Sequence, residues 1–411
     1  MEKKNSLRSI LLVLVAVVLV ACSFGGGFAT RHFLPLGASD TTNTPQQVDT
    51  AQGGTPEELQ ATFAPFWEAW QIVHENYVDQ PVDDAVLVDG AIQGMMDSLG
   101  DPHTTYMNPQ EYKDATTQLQ GSYAGIGAYV DTDGEFLTII KPIPGSPAEA
   151  AGLQPGDIIL AVDGMDVTGV APEAVRQKVL GPAGTQVTLT IRRGEQEPFD
   201  VVITRSTIVI PSVESKMLED NIGYIKIAIF GESTASNFHD QLGEIMAQNP
   251  RGLIIDLRDN TGGYLDAAIV IASEFIPSGD VVAYEQYGDG TKTPFEAIPG
   301  GLATDPGLPV IVLVNGYSAS ASEIVAGAIQ DTGRGKLLGE TTYGKGSVQS
   351  WFPLSNNGAV PVTIARWLTP NGRTIDKLGL TPDVEVALTA DDYAAGLDPQ
   401  LEAAIQLLLN P

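Results

Sequence analysis

The chain has 411 residues, 43% of them hydrophobic and 7% aromatic, which is a globular composition long enough for two or three domains. Its 51 acidic residues against 22 basic ones leave a formal net charge of −29 and argue against nucleic acid as a partner. The only cysteine, Cys22, can form no intrachain disulfide.

Residues 1–30 read as a targeting segment. Lys3, Lys4 and Arg8 precede an uninterrupted apolar run from Ile10 to Ala21, the layout of a secretion signal, so the mature protein is expected outside the cytoplasm, in a bacterial cell envelope. Cys22 follows Leu19-Val20-Ala21 in a way that resembles the bacterial lipoprotein processing box. Cleavage before it would leave a lipid-anchored N-terminus. An uncleaved signal anchor from Ile10 to Phe28 fits as well, and both alternatives tie the N-terminus to a membrane. Residues 31–56 read as a tether: Thr41 to Thr55 is rich in Thr, Gln, Asp and Gly and has too little apolar surface to fold.

The pattern predicts a helical region over 57–120. Leu59, Phe63, Trp67, Trp70, Val73 and Tyr77 share one apolar face, and Leu87, Ala91, Met95 and Leu99 share another, both suited to packing on a neighbouring domain. The segment Gly100-Asp101-Pro102-His103-Thr104-Thr105-Tyr106 closes this stretch. A loop histidine beside proline is more often structural than catalytic, so His103 is given no catalytic role.

Residues 121–206 resemble a PDZ domain. Gly125-Ile126-Gly127-Ala128 opens a strand as the carboxylate-binding loop of that fold does, and Pro144 to Leu153 followed by Gly156-Asp157-Ile158-Ile159 resembles its helix and next strand. Successive N–H groups in such a loop can hold a terminal carboxylate, and the adjoining strand edge can pair with an extended peptide. A small β-domain that merely spaces its neighbours is the plain alternative.

From residue 207 to about 390, apolar runs alternate with amphipathic stretches: Ile222–Phe230, Glu232–Ala247, Leu253–Leu257, Leu265–Phe275, Val281–Tyr284 and Val310–Val314. This predicts α/β organisation with buried strands. Asp256 to Gly263 follows one strand and ends in Gly262-Gly263, where a backbone N–H can approach a ligand closely. Val360 to Trp367 reads as a late strand. Residues 391–411 contain a last amphipathic helix, Leu401 to Leu409, a candidate for packing or for a homodimer contact.

Chemistry concentrates between Val314 and Gln349. Ser318, Ser320 and Ser322 fall at a strand-to-helix turn, where the free N–H groups of a first helical turn favour developing negative charge; simple helix capping is the plain alternative. Further on, Lys345 sits among glycines in Tyr343-Gly344-Lys345-Gly346-Ser347-Val348-Gln349. Gly339 to Lys345 spells a phosphate loop, but Gly346 stands where Ser or Thr is needed to hold Mg²⁺. Gly316 to Ser320 approaches the G-x-S-x-G elbow, but all four histidines lie upstream of it, whereas that fold needs one downstream. A serine hydrolase without such a histidine must use another base, and lysine is an attested one.

At these residues the chain resembles the carboxyl-terminal processing peptidases, a family of extracytoplasmic serine proteases with a Ser-Lys dyad and an inserted PDZ domain. The Ser-Ala-Ser-Ala-Ser-Glu signature is matched at residues 318–323. The resemblance implies Ser320 as nucleophile, Lys345 as base and Gln349 as the residue that orients the amine. It implies oxyanion-hole donors from Gly262 or Gly263 and from Ala321, peptide binding at Gly125, Ile126, Gly127 and Ala128, and a crotonase-like ββα core. Protein substrates with free apolar C-termini would be its partners; it implies no cofactor, and no H-E-x-x-H zinc spacing occurs. Neutral Lys345 would require burial, since about 3 pKa units correspond to about 4 kcal/mol. Glu323 reads as a helix-end partner rather than a base. A catalytically silent PDZ scaffold is the alternative function, and an acyl-thioester enzyme a more distant one.

Overall fold

The computed structural model describes residues 55–132 and 134–410, so Cys22, the apolar run and most of the tether lie outside the described residues. The chain divides into two units, Met1–Val82 and Asp83–Pro411. In the first, a 3₁₀ turn, Glu57–Leu59, leads into the helix Gln60–Asn76, along which the rings of Phe63, Phe66, Trp67 and Trp70 meet mostly edge to face and Trp70 stacks on His74. None of its residues is buried. Among the described residues, no helix is long and apolar enough to cross a membrane.

The second unit begins with Asp84–Asp97, capped by the Asp83 carboxylate, which accepts from Ala85 N at 2.9 Å. The helical region foreseen over 57–120 is therefore broken between Asn76 and Asp84. The buried face of the second is Ile92 and Met96, packed on Tyr106 and Val360, while Met95 and Leu99 are exposed. The expected face was misplaced by one residue, which is about 100° around a helix. Pro109–Gln120 follows, started by Asn108 and ended by left-handed Gly121.

The strands Ser122–Gly125 and Ser206–Val209 then pair antiparallel, so the chain enters and leaves the region between them at one neck. Between them lies a sheet in the order Ala128–Asp131, Thr138–Pro142, Ile158–Val162, Gln186–Arg192, Phe199–Thr204, with the helix Pro172–Val179 beside it. It has its own apolar core, including Leu137, Ile139, Ile159, Val187, Leu189 and Ile191. Buried Asp157 is satisfied by a two-pronged Arg193 pair at 2.7 Å.

Beyond the neck, a six-stranded sheet runs Val384–Glu385, Lys336–Gly339, Val310–Val314, Gly252–Asp256, Ile222–Ile227, Val213–Leu218, parallel except for the last. Side chains alternate by strand geometry. Val310, Val312, Val314, Leu253 and Ile255 face the helices Thr234–Met246, Leu265–Ser273 and Ala321–Asp331, and Ile311, Leu313 and Ile254 face the helix Pro399–Leu409. The last helix thus packs on the sheet. This is the packing role expected for it. A second sheet, Lys292–Glu296, Val281–Tyr287, Ala359–Leu368, Ser347–Pro353, joins the first core through Trp367, Val282 and Ala283. The result is a mixed α/β body, with turns bearing the candidate residues at the carboxyl ends of parallel strands, where sheets of this kind bind ligands.

Candidate active site

Val310–Val314 ends in Asn315, and a tight turn leads to Ser320, the residue before the helix Ala321–Asp331. Two of the three serines are fully buried and committed to structure: Ser318 Oγ donates to Leu257 O and Ser322 Oγ to Asn260 O, each at 2.8 Å. Ser320 alone of the three lines the adjacent cavity, of about 490 Å³. Its backbone is strained, with φ 56° and ψ −114°, a conformation worth about 1–3 kcal/mol that neighbouring contacts must hold.

One contact comes from below. A Cβ on Gly262 would stand 2.8 Å from Ser320 Cβ and 2.9 Å from Ala319 O, so only glycine lets the two turns approach this closely. Asn260 ties them further, accepting from Ala319 N through its carbonyl while its side chain accepts from Gly262 N at 2.9 Å. That bond engages the Gly262 N–H. Gly263, by contrast, lines the cavity with Ala321, the first residue of the helix, whose N–H has no partner within the helix.

The other contact is Glu323. This fully buried carboxylate accepts from Ser320 N at 2.8 Å, Thr342 Oγ1 at 2.5 Å, Gly344 N at 2.8 Å and Lys345 N at 2.9 Å. It staples the serine turn to the lysine turn, two segments joined in the sequence only through a helix and a strand. Burial pushes its carboxyl above the ordinary value of 4.5 despite those donors. The sequence reading took Glu323 for a helix-end partner; its bonds to the lysine turn become visible only in the fold.

Lys345 lies in the same cavity, half-buried, with its carbonyl held by Trp367 Nε1 at 2.9 Å. Burial pushes its ammonium below the ordinary 10.5, and the nearby carboxylates of Glu323 and Asp101 pull the other way. Gln349 lines the cavity too, beyond a bulge between Val348 and Gln349, and its amide donates to Ser347 Oγ at 2.8 Å and Thr363 Oγ1 at 3.1 Å. Ser320, Lys345 and Gln349 share the cavity without hydrogen bonds to one another among the described residues.

The profile of peptidase family S41 matches residues 221–386, that of the PDZ domain residues 138–193, and that of the activating protease CtpB N-terminal domain residues 19–111. The carboxy-terminal processing protease CtpA of Bacillus subtilis is 39% identical over 328 residues, covering 80% of this chain and 69% of its own length. CtpB of the same bacterium is 33% identical over 408 residues, covering 97% and 82%. The chain belongs to the carboxy-terminal processing proteases of peptidase family S41. Among solved structures, an S41 protease from Bacteroides fragilis shares the fold with a TM-score of 0.52 at 17% identity, over 82% of this chain and 96% of that one.

The PDZ domain of this S41 peptidase has a groove of about 690 Å³, with Ile126, Ala128, Leu137, Ile143, Ile159 and Val179 on its apolar wall. Gly125 ends a strand, Ala128 begins the next, and the carbonyls of Ile126 and Gly127 between them are turned inward, accepting from Ala148 N and from Ser146 Oγ and Ile143 N. In a trans peptide the following N–H points the opposite way. The helix Pro109–Gln120 borders both cavities, with Tyr112, Thr116 and Leu119 at the one holding Ser320 and Lys113, Asp114 and Thr117 at the PDZ groove. Sequence periodicity held no sign of that double role.

Proposed function

We propose that this peptidase is an extracytoplasmic, membrane-tethered endopeptidase that cleaves proteins near their C-termini on a crotonase-like core. Ser320 is the nucleophile and Lys345 its base. The observation that carries this reading is a strained serine and a desolvated lysine on one cavity, clamped together by Glu323.

In the first step Ser320 Oγ attacks the scissile carbonyl carbon and its proton passes to neutral Lys345 Nζ. The carbonyl oxygen becomes an oxyanion, for which the N–H groups of Gly263 and Ala321 are the donors; Gly262 is excluded because its N–H already serves Asn260. Collapse breaks the C–N bond, and the proton on Nζ goes to the leaving amine. Water then repeats the sequence on the acyl-enzyme. Gln349 offers its carbonyl to the amine, since both hydrogens of its NH₂ are turned to Ser347 and Thr363.

The PDZ groove takes the substrate tail, with its carboxylate on the Gly125–Ala128 loop and its last apolar side chain among Leu137, Ile159 and Val179. The helix shared by the two cavities places that groove next to the catalytic one. Incubation of an unstructured polypeptide with the wild-type chain and with Ser320→Ala tests the chemistry, and comparing free with amidated C-termini tests the delivery. Amidation removes a charge-assisted contact worth about 1.5–3 kcal/mol, or roughly ten- to a hundredfold in specificity. Cleavage by Ser320→Ala would refute the dyad, and equal rates for the two tails would reduce the PDZ domain to a spacer.

A further inference from the structure

The strand Ser347–Pro353 is the outermost of its sheet, so one of its edges carries no strand. Five consecutive residues of it, Ser347 to Trp351, line the cavity that holds Ser320 and Lys345. Successive side chains of a strand point to opposite faces, so a wall made of consecutive residues is the strand's edge rather than either face. Val348 packs on the apolar core, whereas Gln349 and Trp351 turn the other way, to Thr363 and to the Tyr112 ring.

Which backbone groups that edge presents follows from the partner strand, Ala359–Leu368. Opposite residues on antiparallel strands alternate between pairs that exchange hydrogen bonds and pairs whose N–H and C=O groups point away from each other. Ala359 exchanges both of its bonds with Met107, at 2.8 and 2.9 Å. Pro361 has no N–H, and its carbonyl accepts from Thr105 N at 3.2 Å; Thr363 N donates to Thr104 Oγ1 at 3.0 Å. All three turn away from Ser347–Pro353, so Trp351 and Gln349, which stand opposite Pro361 and Thr363, turn away as well. At the near end Trp367 N donates to Gly346 O at 2.9 Å, and the next pair, Ser347 with Arg366, is again of the open kind. The N–H and C=O groups of Ser347, Gln349 and Trp351 therefore project from the free edge, and no other element bonds to them among the described residues. Such a row of unpaired donors and acceptors, about 13 Å long, is a template for one more strand.

We propose that this edge seats the main chain of the substrate: the segment flanking the scissile bond adds to Ser347–Trp351 as an extra strand, bonded through every second residue. The inference rests on the reading of Ser320 and Lys345 as the dyad, which puts the scissile bond in the same cavity. The occupant is an extended polypeptide rather than a helix or a folded surface, because only a strand matches donors and acceptors that recur every two residues. Backbone contacts read no side chains, so selectivity at the cut is broad and the choice of substrate is left to the tail in the PDZ groove.

The test is a scan of the substrate backbone. An unstructured polypeptide with a free C-terminus, cut by the full chain at one mapped bond, is resynthesised with a single N-methyl group at each residue in turn over four residues on either side, the scissile nitrogen excepted. Each methyl removes one N–H and blocks strand pairing at that point. On one flank kcat/KM should fall at least tenfold at alternate residues and stay within threefold at those between. On the enzyme, Trp351→Pro removes an outward N–H without touching the ladder, which edge strands tolerate, and should raise KM at least fivefold above that of Trp351→Val, which loses the same ring but keeps the N–H. A scan without two-residue alternation on either flank, or equal KM for the two Trp351 variants, overturns the proposal. Should Trp351→Pro melt early, the scan on the wild-type chain decides by itself. Cleavage by Ser320→Ala overturns the dyad reading and this inference with it; an inactive Ser320→Ala beside a scan without alternation overturns this inference alone.

Discussion

Replacing Glu323 by glutamine changes one heavy atom and should undo the join between the serine turn and the lysine turn. The carboxylate takes four donors, Thr342 and Gly344 on one oxygen and Ser320 and Lys345 on the other. The least costly glutamine orientation puts NH₂ towards Thr342, whose hydroxyl can turn and accept. Gly344 N–H is then buried without a partner, at about 1–3 kcal/mol, and the remaining two bonds lose their charge assistance, about 1 kcal/mol each. The sum is about 3–5 kcal/mol, and no water can relieve it because Glu323 is fully buried. At roughly 2–4 °C per kcal/mol for a body of this size, the melting temperature should drop by roughly 6–20 °C. Turnover should fall more steeply than stability: the strained Ser320 turn is held through this carboxylate, and a displacement of about 1 Å can cost about a hundredfold. Calorimetry and peptide cleavage on the full chain measure both. Glu323→Gln melting within about 2 °C of the wild type with undiminished turnover would refute the reasoning.

Activity should rise with pH through one ionisation below the ordinary lysine value, since burial depresses Lys345 and only the neutral amine accepts a proton; a pH series of kcat/KM reads it, and Lys345→Arg should be inactive because guanidinium stays charged. Gly262→Ala forces a Cβ to 2.8 Å from Ser320 Cβ in a backbone with φ 108°, so kcat should fall about a hundredfold or more while peptide binding to the PDZ domain, followed by titration, is unchanged. His239 is raised above 6.5 by Glu274, which its Nδ1 meets at 2.6 Å. The pair's stabilisation is therefore fully present below the unfolded value and lost as pH rises through the higher folded one, so the melting difference between wild type and His239→Gln should shrink across that window. Asp157→Asn breaks a buried pair with Arg193 and should destabilise the PDZ domain by about 3 kcal/mol, seen as an earlier melting step with the catalytic body intact.

Much of this protein is legible in one dimension because its signals are local. Val310–Val314 is an unbroken apolar run and is a strand buried on both faces; the turn after it holds three serines and Lys345 sits among glycines, while it is the family resemblance that singles out Ser320 and Lys345 as a pair. The PDZ domain announces itself the same way, through glycines at a loop and a helix start. Other features were invisible because they depend on pairs distant in the chain. Periodicity placed the buried face of Asp84–Asp97 one residue away from Met96, since only Tyr106 and Val360 decide which side is covered. Nothing near Gly262 in the sequence says that its N–H is consumed by Asn260, leaving Gly263 as the open donor. Glu323 looks like any first-turn acid until the strand after its helix brings Thr342, Gly344 and Lys345 back to it. The bond from Thr363 N to Thr104 Oγ1 joins residues 259 positions apart, and such a pairing has no trace in composition or spacing. Residue types and backbone freedom were set by the sequence alone; which donors were already used, and therefore which remained for chemistry, was decided by tertiary packing, because a hydrogen bond is a relation between two places.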